Sequence, residues 1–145
     1  MTVEYKKILV AFDASEQSKV AVEHAKLLAQ LNNGHVTILQ VLEPIIDYLA
    51  PDSYVISELT KSQKEIQTNL KRTLENNYIA EGNDNIDVMV LIDTPKDAIV
   101  KFARENNFDI IVMGATGKHG INKLLMGSTA SYVVNHAPCT VMTVK

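Results

Sequence analysis

The chain has 145 residues, 46 % of them hydrophobic, and 14 basic against 17 acidic side chains leave a formal net charge of −3. These values suit one globular domain spanning residues 1–145, argue against disorder, and remove the electrostatic reason to expect nucleic acid or an anionic membrane as main partner. No apolar run approaches the roughly 18–20 residues of a membrane helix, and the single cysteine, Cys139, forms no intrachain disulfide, which suits a reducing cytoplasm.

The run "KILVAF" (7–12) is continuous and apolar, the pattern of a strand buried on both faces. Only five consecutive apolar residues precede Asp13, too few for a signal-peptide core. The next segment reads as a helix with Ser15 as N-cap and Val20, Val22, Ala25, Leu28 and Ala29 near helical spacing, stopped by Asn32, Asn33 and Gly34. "HVTILQVL" follows as a second strand. "EPIIDYLAPDSY", with two prolines, predicts a loop placed to act as a flap over a site. Beyond it, Ile56, Leu59, Ile66, Leu70, Leu74 and Tyr78 recur in steps that mark a second helix. "NIDVMVLID" is a third strand. "TPKDAIVKFARENN" opens a third helix with Thr94 as N-cap and Pro95 at the first helical position, and sets Ile99, Phe102 and Ala103 on one face. "FDIIVMG" and "CTVMTV" are the fourth and fifth strands, with a short helix from about Ser128 to Asn135 between them and Pro138 before the last strand. The order βαβαβαβαβ predicts a parallel sheet covered by helices on both faces.

Four of the six glycines fall in "VMGATGKHGINKLLMGSTAS" (112–131), at 114, 117, 120 and 127. Neither G-x-x-x-x-G-K-[ST] nor G-x-G-x-x-G fits this spacing. The ingredients of an anion site are nevertheless there. Gly114 leaves a buried strand, where a missing Cβ lets a ligand approach the backbone. Gly117 suits a tight turn, and Gly127-Ser128 opens a helix with unpaired N–H groups. Spacing alone leaves two readings, a phosphate cradle or a plain connecting loop.

Gly114, Gly117, Gly127 and Ser128 satisfy the pattern G-x2-G-x9-G-[ST], and here the chain resembles the ATP-binding members of the universal stress protein (UspA-like) family. "KILVAFDASEQS" is similar to that family's opening strand and turn, and "VVNHAPCTVMTV" to its closing segment, so the resemblance runs from about Lys6 to Val144. It implies a single-domain three-layer α/β/α fold, Rossmann-like and similar to the adenine nucleotide alpha hydrolases, with a five-stranded parallel sheet in order 3-2-1-4-5. The first and fourth strands would then lie side by side, and their carboxyl ends would form a topological switch point, where open α/β sheets place ligands.

Carried onto this chain residue by residue, the resemblance implies that Asp13 meets the nucleoside, as an acceptor for a ribose diol or the adenine amino group, and that the backbone of Val41 meets the adenine edge. Gly117, Gly127, Ser128 and Thr129 would hold phosphates, with Thr116 and the backbone of Ala115 near ribose or phosphate and Lys118 and Lys123 screening charge. Ala11, Met113, Gly114 and Ala130 complete the implied nucleotide site. An added branch at Gly127 would fill the space a phosphate needs. Two positions depart from the family pattern: Ala14 stands where glycine is usual, and Ala11 where many members carry proline. A Cβ at 14 resists the positive φ such a turn asks for.

His24, His35, His119 and His136 show no metal spacing, so a magnesium or manganese ion would be held mainly through the phosphates. Cys139 opens an apolar strand and reads as a small buried hydrophobe. Paired carboxylates and an arginine finger are missing beside the glycine loop, so hydrolysis would be slow at most. The expectation is a cytoplasmic ATP-binding protein that signals by occupancy in a stress response. It would form a homodimer through the exposed edge of its C-terminal strand and act on a downstream protein of unknown identity, with neither nucleic acid nor membrane as partner. Two other readings stand beside it. One is an interaction module of the same fold without nucleotide. The other is an enzyme with Ser15 or Ser128 as nucleophile and His119 as base, for which no G-x-S-x-G elbow exists.

Overall fold

A computed structural model describes residues 2–45, 53–79, 84–117 and 125–145. Strands and helices alternate along it as β1 (Lys7–Phe12), α1 (Glu16–Asn32), β2 (His35–Leu42), α2 (Ser53–Tyr78), β3 (Ile86–Ile92), α3 (Pro95–Glu105), β4 (Ile110–Gly114), α4 (Ser128–His136) and β5 (Thr140–Val144). All strand pairs are parallel and the order is β3-β2-β1-β4-β5, as the resemblance implies. No helix among the described residues is long and apolar enough to cross a membrane.

The continuous apolar runs become the central strands because both of their faces are covered. Ile8, Leu9 and Val10 of β1 and Ile111 and Val112 of β4 have no exposed surface. Alternation then splits the core in two. Ile8, Val10, Val36, Ile38 and Val112 pack under α1 and α2 with Val22, Ala25 and Leu74. Leu9, Leu39, Ile111 and Met113 pack under α3 and α4 with Ile99, Ala103 and Val133.

Two helical stripes differ from the sequence expectation. On α1 the buried residues are Ser18, Ala21, Val22, Ala25 and Ala29, while Val20 is 43 % exposed. Small residues line this face, and they let the helix lie close to the strands. On α2, Leu70 and Leu74 face inward as expected, but Ile66 is 51 % exposed, and Gln63 and Gln67 continue the inward line. Both glutamines serve backbone at the sheet rim: Gln63 Nε2 donates to Glu43 O at 2.7 Å and Gln67 Nε2 to Val90 O at 2.6 Å. An apolar side chain cannot satisfy those carbonyls, so hydrogen bonding overrides hydrophobic periodicity here. The expected loop over 43–54 is also too long, because Ser53 and Tyr54 already belong to α2. Pro51 is no obstacle to a helix that starts after it. Residues 46–52, the rest of the expected flap, lie outside the described residues.

Cap chemistry is mostly local. Ser15 caps α1, its side chain accepting from Ser18 N at 3.1 Å, and Asn33 ends the helix in the left-handed region at φ 52°. Thr94 occupies the cap position of α3 but makes no side-chain cap bond. Asp93 Oδ1 accepts from Thr94 N at 2.7 Å instead. Cys139 is half-buried against the α3/α4 core, and burial, with the negative charge of Asp109, pushes its thiol above the ordinary value. It therefore stays protonated near neutral pH, in keeping with a packing role.

Ala14 sits at φ 68°, the left-handed region that its Cβ resists. Its side chain is exposed, so nothing else is lost by removing it. The strain amounts to about 1–2 kcal/mol, of which glycine's greater unfolded-state freedom cancels a part. Ala14→Gly should therefore raise Tm by about 2–4 °C, the shift expected of roughly 1 kcal/mol in a domain this size. Calorimetry that found an unchanged or lower Tm would show that the turn carries no such strain.

Candidate functional site

Because β1 lies between β2 and β4, Ala11 pairs with both Leu39 and Met113, and the carboxyl ends of three strands reach one rim. A cavity of about 410 Å³ opens there, closed on one side by the start of α4. One wall is apolar: Ala11, Val41, Met113 and Ala130 face it on the α3/α4 side, with Ile99 and Pro95. The other wall is polar, with Asp13, Ser15, Thr116, Gly117, Ser128 and Thr129. A planar apolar group and a polar or anionic tail can be accommodated together in such a space.

The polar wall is built from tight local geometry. Asp13 follows β1, and its Oδ1 accepts from Ser15 N at 3.0 Å, which fixes the turn into α1. Ser18 is buried beneath this turn, where its hydroxyl donates to Ser15 O at 2.9 Å. Across the rim, the chain leaves β4 at Gly114 and is tied down at once. Ala115 N donates to Val144 O of β5 at 2.8 Å, and Ala115 O accepts from Gly127 N at 2.7 Å. Thr116 donates twice to Gln17 of α1, from its amide and from its hydroxyl, each at 2.9 Å.

These contacts give the glycines packing tasks beside those the sequence suggests. A Cβ on Gly114 would stand 2.8 Å from the Cβ of Gln17, so its absence lets α1 approach, while Gly114 also lines the cavity. A Cβ on Gly127 would stand 2.8 Å from the carbonyl oxygen of Thr116. An added branch there would press on the backbone of Thr116. Gly117 has its expected role as a turn residue, at φ 69°, and a Cβ on it would meet Asp13 Oδ2 at 2.9 Å. The loop thereby brings Gly117 against Asp13, across 104 positions of sequence.

The cap position of α4 falls on Gly127, and Ser128 is the first helical residue. The Gly127 amide is engaged with Ala115 O. The next amides, of Ser128 and Thr129, belong to a first helical turn, where geometry denies them an intrahelical acceptor and the helix dipole is positive.

Of the residues expected at the site, Ala11, Asp13, Val41, Met113, Gly114, Thr116, Gly117, Gly127, Ser128, Thr129 and Ala130 line this one cavity. Ala115 does not line it: this residue is buried and both its backbone groups are used within the fold. Lys118, with His119, Gly120 and Lys123, lies outside the described residues. Sequence reasoning missed Gln17, Gln40, Glu43, Pro95 and Ile99. Gln40 lines the cavity and is 8 % exposed, and its Oε1 has no hydrogen-bond partner among the described residues. Its β2 position puts it on the α1/α2 side, opposite Val41. No single-residue signal marks these positions, although strand order alone would have pointed to the first turn of α1. A larger depression of about 690 Å³ lies along α2, but its described lining, from Ser57 to Asn69, comes from that helix alone, and no second element converges on it.

Among the described residues no group of three His, Cys, Asp or Glu side chains is placed to hold a metal ion. His35 Nε2 lies 2.9 Å from Asp87 Oδ1, and His136 stacks on Tyr132 with ring centroids 4.0 Å apart, both away from the cavity.

Comparison with known proteins agrees with this architecture. A universal stress protein of Methanocaldococcus jannaschii is 35 % identical over 145 residues, covering 97 % of this chain and 82 % of the relative. The structure of universal stress protein UspA from Lactobacillus plantarum superposes with a TM-score of 0.79 at 29 % identity, over 99 % of this chain and all of the other. A further universal stress protein, solved in complex with cAMP, has the same fold at 24 % identity and a TM-score of 0.69, with 99 % of each chain covered. The model of the universal stress protein family matches residues 4–145. The chain is thus a member of the universal stress protein family.

Proposed function

We propose that this protein binds ATP, or a related adenine nucleotide, in the cavity at the β1/β4 rim, and that occupancy serves as its signal in a stress response. The observation that carries this reading is the junction of two unlike walls in one crevice. The apolar slot of Ala11, Val41 and Met113 suits a purine ring, and it continues into the acceptor of Asp13 and the first turn of α4. The amides of that turn, with the Ser128 and Thr129 hydroxyls, are donors for phosphate oxygens. Charge-assisted bonds of about 1.5–3 kcal/mol each bring three or four contacts near the roughly 8 kcal/mol of a micromolar complex. The related structure that holds cAMP bears on the fold and leaves the ligand of this chain to experiment. A magnesium or manganese ion would enter with the nucleotide, on phosphate oxygens, since Asp13 and Glu43 are the only carboxylates on the described lining. Slow hydrolysis at most accords with a site whose described lining offers no histidine, lysine or arginine. A cytoplasmic setting accords with the one unpaired, half-buried thiol.

Titration calorimetry with ATP, ADP, AMP and cAMP is expected to find micromolar binding for at least one of them. Asp13→Asn keeps an oxygen for Ser15 N but removes the charge, and should weaken the best ligand about tenfold with little change in melting. Binding that survives this change at full strength would place the ligand elsewhere. Wild-type protein that binds none of the four would favour the alternative of an interaction module.

The homodimer is a further part of the proposal. β5 is an edge strand, and Val144 O is bonded to Ala115 N beyond β4. In a parallel ladder a residue turns its N–H and C=O to the same side. Thr140, Met142 and Val144 therefore serve β4, while Val141 and Thr143 turn theirs outward, toward a two-fold mate. Light scattering at micromolar concentration should report a dimer, and Thr143→Pro should give a folded monomer. A wild-type monomer under those conditions would contradict this pairing.

A further inference from the structure

The sheet has two edges, β3 and β5, and they are finished differently. On β3, Val36 N donates to Asn85 O at 2.8 Å and Asp93 N donates to Leu42 O at 2.9 Å. Odd-numbered residues of this strand therefore serve β2, while Ile86, Val88 and Val90 turn their N–H and C=O outward, where a further strand would pair. Yet these three are only 4, 5 and 3 % exposed. Their side chains lie in the α1/α2 core with Leu70 and Leu74, and α2 reaches the edge itself at Gln67, whose Nε2 donates to Val90 O at 2.6 Å. On β5 the outward-turned Val141 and Thr143 stay half-buried, and among the described residues no side chain is bonded to their backbone.

A parallel sheet with two open edges can add copies head to tail, β3 of one against β5 of the next, and such a contact does not close on itself. A new strand at β3 would need Val90 O as an acceptor and the space that α2 occupies. Gln67 already fills that acceptor. Gln63 holds the helix one turn earlier, donating to Glu43 O and accepting from Ile45 N. Lifting α2 off the edge would also take Leu70 and Leu74 from the core they pack against.

We propose that Gln67 plugs the β3 edge, so that another copy of this chain can add a strand only at β5 and assembly closes as a two-fold pair instead of running on as a filament. The β5 pairing belongs to the reading above; closure of β3 is a separate claim, and its test separates the two. Sedimentation over a wide concentration range would compare the full chain with Gln67→Ala, with Gln67→Lys, and with Gln67→Ala combined with Thr143→Pro. Circular dichroism would first establish that each keeps its helical content. Wild type should level off at no more than twice the chain mass. Gln67→Ala bares Val90 O and should pass that limit, growing with concentration and shrinking again on dilution. Gln67→Lys keeps a donor on a long stem and should hold the wild-type limit. Adding Thr143→Pro to Gln67→Ala should stop growth at a pair, because a head-to-tail array needs both edges. Gln67→Ala at the wild-type mass, whether monomer or pair, would overturn the plug. So would wild type that grows past a pair, or Gln67→Lys that grows as Gln67→Ala does. Growth past a pair that persists with Thr143→Pro would also overturn it, since unfolded chains stick together without regard to strand edges. Wild type that stays monomeric while Gln67→Ala grows larger would keep the plug and remove β5 pairing from the reading above.

Discussion

The parallel pairing of β1 with β4 is the contact on which the rest of the molecule depends. Ile8 to Ala11 lie in register with Ile110 to Met113, joining segments about a hundred residues apart. The chain runs outward from β1 through β2 to β3, then returns to the other side of β1. That reversal lets the turn after β1 and the loop after β4 open beside each other instead of beneath a shared helix. Asp13 and Gly117 meet for that reason, and the apolar slot between Val41 and Met113 exists for the same reason. The burial of Ile8, Leu9, Val10, Ile111 and Val112 holds the pairing in place.

The glycine-rich loop is better understood as a closure than as a bare cradle. Three of its described glycines stand where a Cβ would approach another atom within 2.9 Å. Each such contact brings a different element to the rim: α1 at Gly114, Asp13 at Gly117, and the loop's own Thr116 at Gly127. Hydrogen bonds from Ala115 N to Val144 O, from Gly127 N to Ala115 O and from Thr116 to Gln17 anchor the same few residues to β5, α4 and α1. A rim tied on three sides presents its donors and acceptors in fixed directions, and such preorganisation lowers the ordering cost of binding. The glycine pattern of this family member thus reports helix and loop packing.

Much of the fold was legible in the amino-acid sequence because the signals are local. Continuous apolar runs mark strands covered on both faces, Ser15 and Asn33 bracket α1, and Pro95 opens α3. These depend on the chemistry of neighbours a few residues apart, and so did the glycine motif that suggested a site after β4. The same locality explains the failures. Val20 and Ile66 fit a helical period yet face outward, since what faces inward is decided by which partners wait across the gap. For α1 those partners require small side chains, and for α2 they are carbonyls at the sheet rim that only Gln63 and Gln67 can satisfy.

The sequence by itself determined the element order, the parallel sheet expected of that order, and a glycine loop at the end of β4. Only tertiary structure decided where the missing Cβ atoms point, that Ala115 is turned into the fold, and that Gln17 takes both hydrogens of Thr116. The reason is physical. Periodicity and caps are properties of adjacent residues, whereas hydrogen-bond polarity and close packing belong to pairs the fold brings together from opposite ends of the chain.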